Sequence, residues 1–215
     1  DAVGEAQLRQ IRRSYERTVK VPAKLAEEIA TTMSLAQGVW AECRGREDVA
    51  GFLPTLRKVV DLKRQEGAAL AAGGDPYDAL VDDYEPGMTG AAIAAMFDAM
   101  RPRLVALRER VLGAEAPKGV VGVFPTEAQM ALSRELATVF GYDWNRGRVD
   151  LAVHPFSSGS GHDVRITTRV NETDPFNCFY STIHEVGHAA YEQGVDPTYL
   201  LTPIGQGVSM GVHES

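Results

Sequence analysis

Apolar side chains recur at helical spacing from the start of the chain. Leu8, Ile11, Tyr15 and Val19 fall three or four residues apart, which predicts an amphipathic helix over the first twenty residues. Pro22 suits a first-turn position, and Ala23 to about Cys43 reads as a second helix. A third spans Gly51 to Ala72, with Pro54 near its start and Gly73-Gly74 at its end. Thr89 is a plausible N-cap for a helix reaching Leu112, and Pro125 opens another that ends at Gly141. Between these, DPYDALVDDYEPGMT (75–89) is rich in turn residues and acid. Asp82, Asp83 and Glu85 lack EF-hand spacing, so a solvated acidic turn is expected there rather than a calcium loop.

After Gly141 the pattern changes. Arg148 to Val153 and Val164 to Val170 are rich in β-branched residues, with the turn-like SSGSG between them, which predicts a β-hairpin with a long loop. Asp174-Pro175 starts a further helix, closed by Gly194, and the tail PIGQGVSMGVHES opens one more. The expected architecture is mainly α with a small antiparallel β element. It is one region, with an N-terminal helical part (1–141) and a hairpin and metal-site part (142–215).

Composition narrows the class. Hydrophobic residues make up 44% of the 215, enough to form a core and to exclude disorder. Lys and Arg number 22 against 29 Asp and Glu, a net charge of −7, which argues against nucleic-acid binding. No stretch approaches the roughly 18 apolar residues of a membrane span. Cys43 and Cys178 are too few and too far apart for a disulfide framework, so a reducing compartment is expected.

The chemistry concentrates late. All five histidines lie at or after position 154. His184-Glu185-Val186-Gly187-His188 is an HExxH on a predicted helix. Residues four apart share a helix face, so both imidazoles can reach one metal ion, while Glu185 sits one position round the helix as a proton acceptor. Chance alone puts such a motif in roughly 1% of chains of this composition, so an incidental pair is the competing reading. Ile183, Val186 and Ala190 form an apolar flank that could bury this helix.

A catalytic zinc usually takes three protein ligands and leaves one position open. Tyr191 and Gly194 stand where a metzincin needs Gly and His, so that class is excluded. The remaining downstream candidates are Glu192, Asp196, His213 and Glu214. Glu192, one turn past His188, could ligate only awkwardly. Glu214, in the next predicted helix, leaves room for the chain to return and is the best third ligand. His213 then points elsewhere or supports the ligands from behind.

HEVGHAAYEQG followed by GVSMGVHES resembles the carboxypeptidase Taq family of metallocarboxypeptidases. His154-Pro155-Phe156 resembles its HPF motif, Asp163 to Thr167 its DxRxT motif, and Asp75 to Thr89 the stretch before its catalytic region. The resemblance implies a neurolysin-like helical metallopeptidase fold with a small sheet beside the active-site groove. It implies zinc, or sometimes cobalt, held by His184, His188 and Glu214, with Glu185 as general base. It also implies release of single C-terminal amino acids from peptides, and a cytoplasmic homodimer. Family members are more than twice this length, and their later GxxQDxHW-type motif is absent here, so the chain is expected to be a portion of a longer catalytic domain.

His154, Asp163 and Arg165 are candidates for the substrate groove. Arg165 and Arg169 are expected on one strand facing the same side. An equally good account has Arg165 simply pairing with Asp163. His162 has the weaker claim to a groove role. Two other functions compete: a different HExxH zinc peptidase cutting elsewhere in the peptide, and a non-catalytic helical module that seeks a partner.

Overall fold

The computed structural model describes residues 1–214. The chain forms two compact units, the first spanning Asp1–Ala106 and the second starting at Leu107. Among the described residues no helix is long and apolar enough to cross a membrane.

The first unit is helical. Helix α1 (Ala2–Lys20) starts where Asp1 accepts from the Gly4 amide, satisfying one of the amides a helix N-terminus leaves unpaired. Its apolar stripe is real but not buried: Leu8 and Tyr15 are both 67% exposed. Helices α2 (Ala23–Gly45) and α3 (Val49–Ala71) pack on each other. The left-handed turn that ends α3 begins at Ala72 (φ 48°), one residue ahead of Gly73 (φ 96°). The acidic turn holds a short helix, α4 (Pro76–Val81), against α3. Asp82 and Asp83, expected to be solvated, instead receive two arginines of α1. Arg13 Nη2 lies 2.7 Å from Asp82 Oδ2, and Arg17 Nε lies 2.6 Å from Asp83 Oδ1. The acid here docks a helix. Helix α5 (Gly90–Leu112) starts as expected, with the Ala92 amide donating to Thr89 Oγ1 at 3.2 Å.

The second unit packs α6 (Thr126–Val139) and a small sheet against α7 (Pro175–Gln193). The strands are β1 (Val149–Leu151), β2 (Ser157–Ser160) and β3 (Asp163–Thr168), in the order β1-β3-β2. The expected pairing of 148–153 with 164–170 as an antiparallel hairpin is not found. β1 runs parallel to β3, with Val149 opposite Ile166. The antiparallel partner of β3 is the supposed turn itself, with Ser157 opposite Ile166 and Ser160 opposite Asp163. Gly159 (φ 135°) permits this, because a side chain there would strike the Asp163 carbonyl and Val164. β3 also ends at Thr168, so Arg169 lies past the strand and donates to Asn177 Oδ1 at 2.8 Å.

β3 alternates as a half-buried strand should, with Val164, Ile166 and Thr168 inward. They join Ala137, Tyr142, Val149, Val186 and Ala189 in the core. Tyr142 is buried there with its hydroxyl donating to Val164 O at 2.6 Å, and burial pushes its pKa up to about 12. Pro175 occupies the first turn of α7, and Asp174 precedes it without a side-chain cap bond. The inward face of α7 carries Cys178, Thr182, Glu185, Val186, Ala189 and Gln193 at helical spacing.

Candidate metal centre

His184 and His188 stand one turn apart on α7 and face a cleft of about 420 Å³. Across it lie His154, Phe156 and the edge strand β2. The floor is closed by α8 (Met210–His213), a short helix capped by Ser209, whose hydroxyl accepts from the Val212 amide. The residue after α8 is Glu214. The side chains of His184, His188 and Glu214 converge, with one ligand atom of each lying within 4.8 Å of the others.

The distances fit a single ion. His184 Nε2 and His188 Nε2 are 3.2 Å apart. Glu214 Oε2 is 3.4 Å from His184 Nε2, and Glu214 Oε1 is 3.7 Å from His188 Nε2. Ligands bound tetrahedrally at 2.0–2.1 Å sit about 3.3–3.4 Å from one another. Two imidazoles and one carboxylate are also a donor set that suits a catalytic zinc-type ion and leaves a fourth position open.

Electrostatics favour the same use. Burial holds the His188 pKa below its ordinary 6.5, partly offset by Glu214, so the imidazole is kept neutral, as a ligand must be. Glu185 lines the cleft but belongs to the inward face of α7 and is only 6% exposed. Burial raises its pKa above 4.5, and the Glu214 charge pushes the same way against the opposing effect of His184. A carboxylate with raised proton affinity beside a three-donor site is suited to take up and return a proton.

The other expected groove residues divide. His154 lines the cleft. Asp163 and Arg165 do not; they project from the outward face of β3 and pair with each other, Arg165 Nε to Asp163 Oδ1 at 2.9 Å and Nη2 to Oδ2 at 2.7 Å. His162 is exposed between β2 and β3.

A supporting group escaped sequence reasoning. Glu192, weighed only as an awkward ligand, lies 3.1 Å from His213 Nε2, and His213 Nδ1 lies 2.8 Å from His188 Nδ1. The signal for Glu192 was the four-residue step 184, 188, 192; its pairing with His213 was not visible.

The chain is similar to known proteins over nearly its whole length. The family described as Carboxypeptidase Taq (M32) metallopeptidase matches residues 2–215. Thermostable carboxypeptidase 1 of Thermus thermophilus is 42% identical over 222 residues, covering 97% of this chain and 43% of that protein. Carboxypeptidase 1 of Bacillus subtilis is 34% identical over 208 residues, covering 95% of this chain and 42% of its own length. The chain therefore spans less than half the length of these relatives. The crystal structure of the M32 carboxypeptidase from Deinococcus radiodurans R1 superposes with a TM-score of 0.84 at 40% identity, over 96% of this chain and 42% of that one. With its HExxH helix, its returning Glu214 and this match over nearly every residue, the chain belongs to the carboxypeptidase Taq (M32) family of metallopeptidases.

Proposed function

We propose that the chain carries the metal site of a carboxypeptidase that releases single C-terminal amino acids from peptides. The observation that carries this reading is the convergence of His184, His188 and Glu214 beside the buried Glu185. These three residues would hold the ion, zinc or alternatively cobalt. When bound, such an ion supplies Lewis acidity and lowers the pKa of water to about 7. Glu185 would accept a proton at its carboxylate from the water that attacks the scissile carbonyl and return it to the amine as the C–N bond breaks; its raised proton affinity suits both halves of that task. His154 and the exposed edge of β2 form the wall along which a peptide would lie. The mutual pairing of Asp163 and Arg165 supports a role in shaping β3 more than one in contacting substrate. Family resemblance extends the reading to a cytoplasmic homodimer.

The test is amino-acid release from an N-blocked dipeptide with added zinc or cobalt. Release is expected, and the same peptide ending in an amide should resist. Equal cleavage of the amide would turn the reading toward an internal peptidase. Glu185→Gln should keep metal and lose roughly 10²–10⁴-fold in turnover. Normal cleavage by that variant would remove Glu185 from the mechanism.

A further inference from the structure

Behind the three converging donors, Glu192, His213 and His188 form a continuous chain of contacts. Glu192 Oε1 is 3.1 Å from His213 Nε2, and His213 Nδ1 is 2.8 Å from His188 Nδ1. The far nitrogen of His188, Nε2, faces His184 at 3.2 Å. Building on the metal-site reading above, we propose that Glu192 and His213 are positioning residues that hold His188 in the tautomer whose Nε2 is free to ligate.

Donor and acceptor roles follow from one end. An ionised carboxylate only accepts, so His213 must present an N–H at Nε2. For His213 in its neutral form, that single N–H at Nε2 leaves Nδ1 as an acceptor. Two ring nitrogens 2.8 Å apart need one proton between them, and it must then sit on His188 Nδ1. His188 Nε2 is left with its lone pair, aimed at the site. The reverse assignment sets a His213 lone pair against the Glu192 carboxylate and puts a proton on His188 Nε2, where an ion would bind.

The chain is built to hold this order. His188, His213 and Glu192 side chains are only 14%, 18% and 23% exposed, so water competes weakly for their bonds. The Tyr191 ring lies 4.6 Å from the His213 ring, and its hydroxyl accepts from the Val208 amide, which steadies the approach to α8. Glu192 and His188 share a face of α7. α8 thus performs two tasks at once: His213 supports a ligand from behind, and Glu214 reaches the site from the next position.

The test measures zinc affinity by competition with a chromophoric chelator, and His188 tautomer by nitrogen-15 NMR of the metal-free full chain. His213→Phe keeps a ring against Tyr191 but removes the acceptor. It should weaken zinc binding roughly 10–100-fold, and the metal-free melting temperature should fall as well because Glu192 loses its partner. It should also move His188 from the Nδ1–H to the Nε2–H tautomer. His213→Asn, whose side-chain oxygen can stand in for Nδ1, should recover most of the affinity. Wild-type affinity in His213→Phe, or an Nε2–H His188 in the native protein, would overturn the proposal. His188→Ala separates the two readings. If it binds zinc as tightly as wild type, the metal site itself is wrong; if it loses zinc while His213→Phe retains it, only the supporting chain falls.

Discussion

Gln193 and Asp143 clasp each other's surroundings across 50 residues of chain: the Asp143 amide donates to Gln193 Oε1 at 2.9 Å, and Gln193 Nε2 donates to the Asp143 carbonyl at 3.1 Å. Gln193 Nε2 also reaches the Arg146 carbonyl at 3.3 Å. The last residue of the HExxH helix thereby fixes the turn that leads into β1. Arg146 returns the tie, donating to the Gln193 carbonyl at 3.0 Å and to the Gly161 carbonyl at 2.9 Å.

Gln193→Ala should therefore be costly for an end-of-helix residue. It strips partners from backbone groups beside a side chain that is only 7% exposed. Leaving such groups unpaired costs on the order of 1–3 kcal/mol, which should lower the urea midpoint without changing the slope. An unchanged midpoint would mean that water replaces the glutamine freely.

Gly147→Ala should also destabilise the second unit. A Cβ there would meet the Val164 carbonyl oxygen and the Tyr142 hydroxyl, which already bond to each other. Neither can withdraw without disturbing the core, so a loss of about 1–3 kcal/mol or more is expected. Gly38→Ala in α2 is the contrast, since a Cβ there meets nothing. It should add up to about 1 kcal/mol through helix propensity. Thermal melts of the two variants should move in opposite directions.

Glu185→Gln should raise the stability of the metal-free protein at neutral pH. Burial lifts the folded-state pKa of Glu185 above 4.5. Between the unfolded and folded pKa values the folded state binds more protons, so stability falls as pH rises through that window. Below the unfolded value both states are protonated and the penalty is absent. Gln does not titrate and escapes it. Its advantage over Glu should thus appear as pH rises through the window and vanish beneath it. An advantage independent of pH would show that the carboxylate is not penalised by burial.

The helices of this chain were legible because their signals are local. Thr89, Asp174-Pro175 and Gly194 mark helix ends within a residue or two of where they occur. The gathering of His184, His188 and Glu214 was legible as well, from one helical turn plus a return of the chain. The sheet was misread because its pairing is not local. Ser157 to Ser160 has no β-branched residue, and it forms a strand only because β3 lies beside it and Gly159 lets the backbones meet. The stripe of α1 shows a different limit, since helical periodicity identifies an apolar face but not whether anything covers it. The contact between Glu192 and His213 was not legible, because the return of the chain that brings Glu214 to the site does not say which side chain His213 meets.

Metal should stabilise the folded chain, and the dependence should trace to the three converging side chains. An unfolded chain cannot hold His184, His188 and Glu214 together, so an ion binding there binds the folded state almost alone. At a free concentration 100 times the dissociation constant, such binding adds about 2.7 kcal/mol, and a chelator should remove all of it. His188→Ala should abolish the zinc-dependent rise in melting temperature, because it removes the most enclosed of the three donors. Glu214→Gln should diminish it while leaving the chelator-treated protein nearly as stable as wild type. Its carboxylate is about half exposed and sits in the last turn after α8, so little of the fold depends on it in the absence of metal. A zinc-dependent rise of wild-type size in both variants would place the ion elsewhere in the chain. Equal losses with and without zinc would mean that these side chains hold the fold together and that any metal is incidental to it.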